Sequence, residues 1–340
     1  MRKFLIVVLF VAVLPACAGQ RCPTGATCAR IPGPLGDTHL SGVPAYDAGW
    51  EHANDQSPRY MAAIAYDASN SQYVLFGGQT ASGASDETWV FYGYGHVPPA
   101  GCQYNNCDPW GQVKPKHKPP ARSGAAMAYD SKQHVVVMYG GQLGGKKGLA
   151  SDTWTWGGAD WTLMRDAGGP GPRQGASMVS AGERTLLFGG ETTGSALADV
   201  WAWDGRTWSR VDADPTPPGR GYAAVTWDPV EQSLIVLGGT GETGNPLSDS
   251  WRWKGGAWSE LVAPGPHPVT RANSLWDLNA KAVIVINGIT CPDLNFDAWQ
   301  WDGAKWNLLS GWGGFRWGAA LAQDTNGDWL MFGGSDKPGC

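Results

Sequence analysis

Residues 151–161 read SDTWTWGGADW, which places Trp154, Trp156 and Trp161 within eight positions. Trp154 and Trp156 alternate with polar residues, and alternation with period two marks a strand with one buried face. The Gly-Gly turn and the return Trp161 mark a hairpin. The pattern recurs as ADVWAWDGRTWSRV from 198, SDSWRWKGGAWSEL from 248 and FDAWQWDGAKWNLL from 296, with a shorter copy, DETWVFYG, from 86. Two residues before the first Trp of each copy stands an acid: Glu87, Asp152, Asp199, Asp249 and Asp297.

A second element precedes each copy. RSGAAMAYDSKQHVVVMYGG begins at Arg122, and RGYAAVTWDPVEQSLIVLGG at Arg220. Related stretches begin at Arg59, Arg173, Arg271 and Arg316. Each reads as an apolar strand, a polar turn, a second apolar strand and a closing Gly pair, which is Asn-Gly in one copy. One unit therefore has four strands, a to d. The arginines are spaced 63, 51, 47, 51 and 45 residues apart, a period of about 50 residues.

The Gly pair after strand b, followed by an acid and spaced aromatics on strand c, resembles the kelch motif. The resemblance implies an all-β fold, a β-propeller in which each four-stranded sheet is one blade. The last copy has strands a and b and then stops at Cys340, while VPAYDAGWEHA from 43 resembles an orphan c–d hairpin, with Trp50 as the strand-d Trp. Six blades are expected, closed by N-terminal strands c–d pairing with C-terminal strands a–b. The tryptophans then pack between wedge-shaped sheets; exposed ones would instead suit stacking on sugar rings.

The N-terminus reads as a targeting segment. MRK is followed by eleven apolar residues, Phe4 to Leu14, fewer than the roughly 20 needed to span a bilayer. Removing Arg2 and Lys3 takes the charge from 25 − 30 = −5 to 23 − 30 = −7, so nothing electrostatic points to nucleic acid. LPAC, ending at Cys17, resembles a bacterial lipobox; ACA, residues 16–18, suits ordinary signal peptidase. The expected division is a signal peptide over 1–16, a Cys-containing linker over 17–35 and one propeller over 36–340. The protein is expected to be exported, as a periplasmic or extracellular envelope lipoprotein lipidated at Cys17, monomeric and without a transmembrane segment.

The remaining cysteines are even in number, as for disulfides in an exported chain. Cys102 and Cys107 are close enough for a local bridge. Cys340 is expected to bond Cys22 or Cys28 across the closure, with Cys291 taking the other.

Candidate chemistry gathers at the start of strand a. Arg59, Arg122, Arg173, Arg220, Arg271 and Arg316 are expected to ring the channel mouth, where they would bind an anion or pair from blade to blade with the strand-c acids. Gln79, Gln142, Glu191, Thr240, Ile289 and Ser335 follow the glycines and lie beside that ring. Glu191, Glu242, Lys146 and Lys147 differ between repeats and are candidates for specificity. The six histidines lack metal-ligand spacing, and no nucleophile motif or phosphate loop is present. The copper site of galactose and glyoxal oxidases, which share this propeller type, has no counterpart here. Asp324–Asp328, DTNGD, imitates a calcium loop but falls where other copies turn from a to b. No metal or cofactor is expected. The leading expectation is a module that binds a protein or a glycan. The alternative is a periplasmic sugar-modifying enzyme, similar to sialic-acid mutarotases, acting through Arg173, Arg220 and Glu191 or Glu242.

Overall fold

The computed structural model describes residues 5–7, 49–51, 58–92, 110–145, 147–165, 167–211, 216–262, 265–266, 269–286, 288–289, 297–311 and 317–335. They form an all-β propeller.

Five sheets have four antiparallel strands in the order a-b-c-d. Blade 1 comprises Ala63–Asp67, Gln72–Phe76, Thr88–Phe91 and Trp110–Val113. Blade 2 comprises Ala126–Asp130, Val135–Tyr139, Thr153–Trp156 and Trp161–Leu163. Blade 3 comprises Ser177–Ala181, Arg184–Glu191, Ala196–Trp203 and Trp208–Arg210. Blade 4 comprises Ala224–Asp228, Ser233–Leu237, Ser250–Lys254 and Ala257–Glu260. Blade 5 comprises Asn273–Asp277, Ala282–Ile286, Asp297–Trp301 and Trp306–Gly311.

A sixth sheet differs from expectation. Ala320–Gln323 and Trp329–Phe332 form the a–b hairpin, but the next strand is Leu5–Val7 and the outermost is Gly49–Glu51. Leu5–Val7 runs parallel to both neighbours, where an antiparallel hairpin from residues near 43–50 was expected. The physical reason is an open edge: Trp329–Phe332 offers unpaired backbone groups, and a Leu-Ile-Val stretch has high strand propensity. The outermost strand, Gly49–Glu51, is parallel to its neighbour and is not the second half of a hairpin.

The tryptophans of the repeat pack between sheets. Trp156 and Trp161 are buried and their ring centroids lie 5.3 Å apart. Trp203–Trp208 and Trp301–Trp306 repeat the contact at 5.3 and 5.4 Å. The strand-d indole also donates to the preceding blade: Trp161 to Thr88 at 2.9 Å, Trp208 to Thr153 at 3.0 Å and Trp306 to Ser250 at 3.1 Å. The repeat thus stitches one blade to the next as well as filling space.

The Gly pair has a similar role. Its first member approaches the next blade so closely that a Cβ on Gly140 would lie 2.6 Å from the Arg173 carbonyl oxygen. Its second member donates to that same carbonyl, as in Gly141 to Arg173 at 2.8 Å and Gly78 to Arg122 at 2.9 Å. The last repeat meets the first in this way, Gly334 donating to the Arg59 carbonyl at 3.0 Å.

Strand a is the innermost strand, and successive a strands neighbour one another around the axis. Their turns into strand b are capped by aspartates except in blade 3, where Ala181 holds that position. Asp130 Oδ1 accepts the Lys132 and Gln133 N–H groups, and Asp228 Oδ1 those of Val230 and Glu231. Asp324 does the same for Asn326 and Asp328, so DTNGD is such a turn.

Candidate binding site at the channel mouth

Among the described residues, Arg59, Arg122, Arg173 and Arg220 at the start of strand a are occupied within the protein. Arg122 holds Asp152 bidentately, with Nη1–Oδ1 at 2.6 Å and Nη2–Oδ2 at 2.9 Å. Arg173–Asp199 and Arg220–Asp249 repeat this geometry, and Arg59 pairs with Glu87. Each Nη1 also donates to the carbonyl of the first glycine of its pair. The four arginine side chains are 0–2% exposed. The expected blade-to-blade pairing is corrected here: each pair closes within one blade and clamps its b–c loop to the start of strand a.

The acids carry a second bond. Trp89, Trp154, Trp201 and Trp251 each donate their indole N–H to the acid two residues earlier, at 3.1, 2.7, 2.6 and 2.6 Å. Burial alone would raise the carboxyls of Glu87, Asp152 and Asp249. The hydrogen bonds and charge of the paired arginine, with the indole bond, hold all three below the usual carboxylate range instead.

Arg271 stands elsewhere. The frame position in blade 5 is Val269, whose carbonyl accepts from Gly239 at 2.8 Å, as Arg122, Arg173 and Arg220 accept from their neighbours. Arg271 lies two residues on, equivalent to Met61, Gly124, Gly175, Tyr222 and Gly318. These six residues have left-handed φ values of 55°, 63°, 60°, 53°, 56° and 65° in the order Met61, Gly124, Gly175, Tyr222, Arg271, Gly318. They circle the axis through backbone bonds: Gly124 to Met61 at 2.8 Å, Gly175 to Gly124 at 2.9 Å, Tyr222 to Gly175 at 2.6 Å, Arg271 to Tyr222 at 3.0 Å and Met61 to Gly318 at 2.7 Å.

Three of the six are not glycine, and left-handed backbone costs such residues about 1–2 kcal/mol each. Backbone strain of this kind gathers at functional sites. Glycine elsewhere in the circle makes room: a Cβ on Gly175 would sit 2.7 Å from the Tyr222 ring. The Arg271 guanidinium is sandwiched 5.0 Å from the Tyr222 ring and 5.0 Å from the Trp317 ring. Tyr60 meets Trp317 at 5.2 Å. Arg271 Nε is buried without a hydrogen-bond partner. Beside this group lies Glu191, whose carboxyl is raised by burial, with Arg271 and Gln174 partly opposing. Burial pushes the Tyr222 hydroxyl upward too, with the Glu191 charge adding and Arg271 opposing. Beneath these groups a cavity of about 220 Å³ follows the axis between the small residues of the a strands.

Propeller architecture, Gly pairs, Arg–acid clamps and spaced strand-c aromatics are joined by a direct sequence comparison. The model of the KLHDC2/KLHL20/DRC7 Kelch-repeats domain matches residues 105–288, just over half of the chain. The chain belongs to the kelch-repeat family. A comparison with curated proteins finds no match. Kelch propellers serve in general as protein-interaction modules.

Within the kelch propeller, the predicted candidates divide. Glu191 lies at the mouth; Glu242 and Lys147 are exposed in b–c loops. Gln79, Gln142, Glu191, Thr240, Ile289 and Ser335 form an outer circle, each bridged to the residue just before the left-handed position. Arg316, Lys146, Cys17 and the other six cysteines (Cys22, Cys28, Cys102, Cys107, Cys291 and Cys340) lie outside the described residues. Sequence reasoning missed Tyr222, Trp317, Tyr60 and Met61, and it misaligned Arg271. One signal was available: the turn aspartate follows Arg59, Arg122, Arg220 and Arg316 by eight positions, but Asp277 follows Arg271 by only six. Among the described residues no group of three or more His, Cys, Asp or Glu could hold a metal ion, and no helix is long and apolar enough to cross a membrane.

Proposed function

We propose that this protein is an exported binding module whose loop-face mouth engages a protein or glycan ligand. One observation carries the proposal: Arg59, Arg122, Arg173 and Arg220 are consumed by internal clamps, while Arg271, Tyr222 and Trp317 converge on the mouth. Arg, Tyr and Trp are the residue types that dominate binding hot spots. The mature chain begins at or near Cys17, with a linker over 17–35 and a propeller over 36–340. Once the leader is gone, residues near 43–51 supply the c–d strands of a sixth blade. Bridges of Cys340 and Cys291 to Cys22 and Cys28 clamp that closure, Cys102 bonds Cys107, and lipidation of Cys17 anchors the module in the envelope as a monomer.

A thermal-shift and calorimetric screen of the mature protein against acidic sugars, neutral glycans, small anions and peptides tests this. Binding on the loop face that falls at least about tenfold in Arg271→Ala, with the melting temperature retained, is expected. Binding indifferent to Arg271→Ala and Tyr222→Ala would overturn the assignment.

A second proposal follows from Glu191, a carboxyl with raised proton affinity beside a cation at a cavity mouth. Such a pair suits general acid–base exchange at the anomeric centre of an acidic sugar. Acceleration of anomer exchange, followed by NMR and abolished in Glu191→Gln, would favour it; no acceleration with a bound acidic sugar would exclude it.

A further inference from the structure

We propose that the opposite, turn-face end of the channel is a second binding site, for a neutral pyranose. The channel is not one uniform bore. Ile64, Met127, Met178, Val225, Ser274 and Leu321 line both the mouth cavity and a second cavity of about 310 Å³ beyond it. They form a waist between two chambers. The second chamber reaches the a–b turns through Ala68, Asp324 and Thr325. It lies on the face away from Arg271 and does not depend on the loop-face proposal.

Its rim is aromatic. Tyr66, Tyr129, Trp227 and Trp276 occupy one register position, just before the turn aspartate, on the a strands of blades 1, 2, 4 and 5. All four are partly exposed and line the chamber. The equivalent positions in the other two a strands hold Ser180 and Gln323. Aromatic rings supply flat, weakly negative faces, which suit the apolar C–H faces of a sugar ring.

The wall is mostly apolar with a few polar groups, and it carries no free charge. Thr226 is 5% exposed, lines the chamber, and its Oγ1 has no hydrogen-bond partner. A buried hydroxyl without a partner is unfavourable, and a ligand hydroxyl would satisfy it. No Lys or Arg lines the chamber, which disfavours anions. Its one acid, Asp324, is spent on its own turn: Oδ1 accepts the Asn326 and Asp328 N–H groups and Oδ2 the Asn326 side chain. That disfavours a cation, which an aromatic collar alone would otherwise suit. The volume is at the small end of ligand pockets, about 300–1,000 Å³, and suits one or two sugar residues.

Methyl glycosides of glucose, galactose, mannose and N-acetylglucosamine are titrated into the full chain by calorimetry, with saturation-transfer NMR to read which ring protons touch protein. Thr226→Val keeps the shape and removes the hydroxyl; Trp276→Leu removes one stacking face. At least one glycoside is expected to bind. Its affinity is expected to fall about tenfold in Trp276→Leu and several-fold in Thr226→Val, and to be unchanged in Arg271→Ala. No binding by any glycoside would overturn the proposal. So would binding unaffected by Thr226→Val in a variant of unchanged melting temperature, loss of binding in Arg271→Ala alone, or binding of tetramethylammonium in place of the glycosides.

Discussion

At the level of single residues, the same amino acid has two roles separated by two positions. Arg122, Arg173 and Arg220 are buried, bidentate and shared between an acid and a glycine carbonyl. Removing one partner of such a pair leaves a buried charge uncompensated, at a cost of about 3–5 kcal/mol. Arg220→Ala is expected to destabilise by about that much in urea titrations, and Arg220→Met with Asp249→Leu to recover a large part of it. The pairs also set an acid limit. Asp152 and Asp249 have folded values below their unfolded value of 3.8. Their contribution is therefore complete above the unfolded value and lost as pH falls through the folded one. Glu191 has the opposite sign: its folded value is raised, so its ionisation opposes folding as pH rises past 4.5. Glu191→Gln is expected to match or exceed the parent stability at pH 7 and to lose that advantage below about pH 4. The acids and arginines were legible in the sequence because they repeat. The mouth residues were not, because Tyr222, Arg271 and Met61 share a backbone conformation and no chemistry.

At the level of the blade, the repeat is a set of bonds to its neighbour. Three strand-d tryptophans donate to Thr88, Thr153 or Ser250, the residue after the strand-c acid. Blade 3 has Val200 at that position, and the Trp258 indole N–H packed beside it is buried without a partner. Val200→Thr is expected to supply the missing acceptor and stabilise by about 1 kcal/mol. Thr153→Val, which strands Trp208, is expected to cost about 1–3 kcal/mol. Thermal and urea unfolding of the two variants read opposite signs. The hairpins themselves followed from period-two alternation and turn chemistry, which are local. The hydroxyl-to-indole bond was hidden because it joins residues 55 to 73 positions apart.

At the level of the molecule, the last repeat meets the first. Gly334 bonds the Arg59 carbonyl, Met61 bonds the Gly318 carbonyl, the Tyr73 hydroxyl donates to the Asp328 carbonyl at 3.0 Å, and Trp110 contacts Phe332 at 5.0 Å. Counting strands pointed to a closing sheet shared with the N-terminal region; the sheet that forms there takes Leu5–Val7 in parallel and not the antiparallel c–d hairpin expected. Which N-terminal residues fill its outer positions could not be foreseen, because both the apolar stretch Phe4–Leu14 and the segment around Trp50 have the composition to add to an open edge. Leu5–Val7 and Gly49–Glu51 now share it. Deleting residues 1–16 is expected to leave the melting temperature nearly unchanged, the 43–51 segment taking the vacated edge. A large drop would make Leu5–Val7 a structural strand of the mature fold.

The clamped arginines hold the propeller together, while Arg271 is proposed to serve a ligand. Urea unfolding of Arg173→Ala and Arg271→Gly, side by side, tests this division most directly. Arg173→Ala is expected to lose about 3–5 kcal/mol. Arg271→Gly exchanges two stacking contacts for relief of a left-handed backbone and is expected to stay within about 1 kcal/mol of the parent. Equal, large losses in both would place Arg271 with the structural arginines.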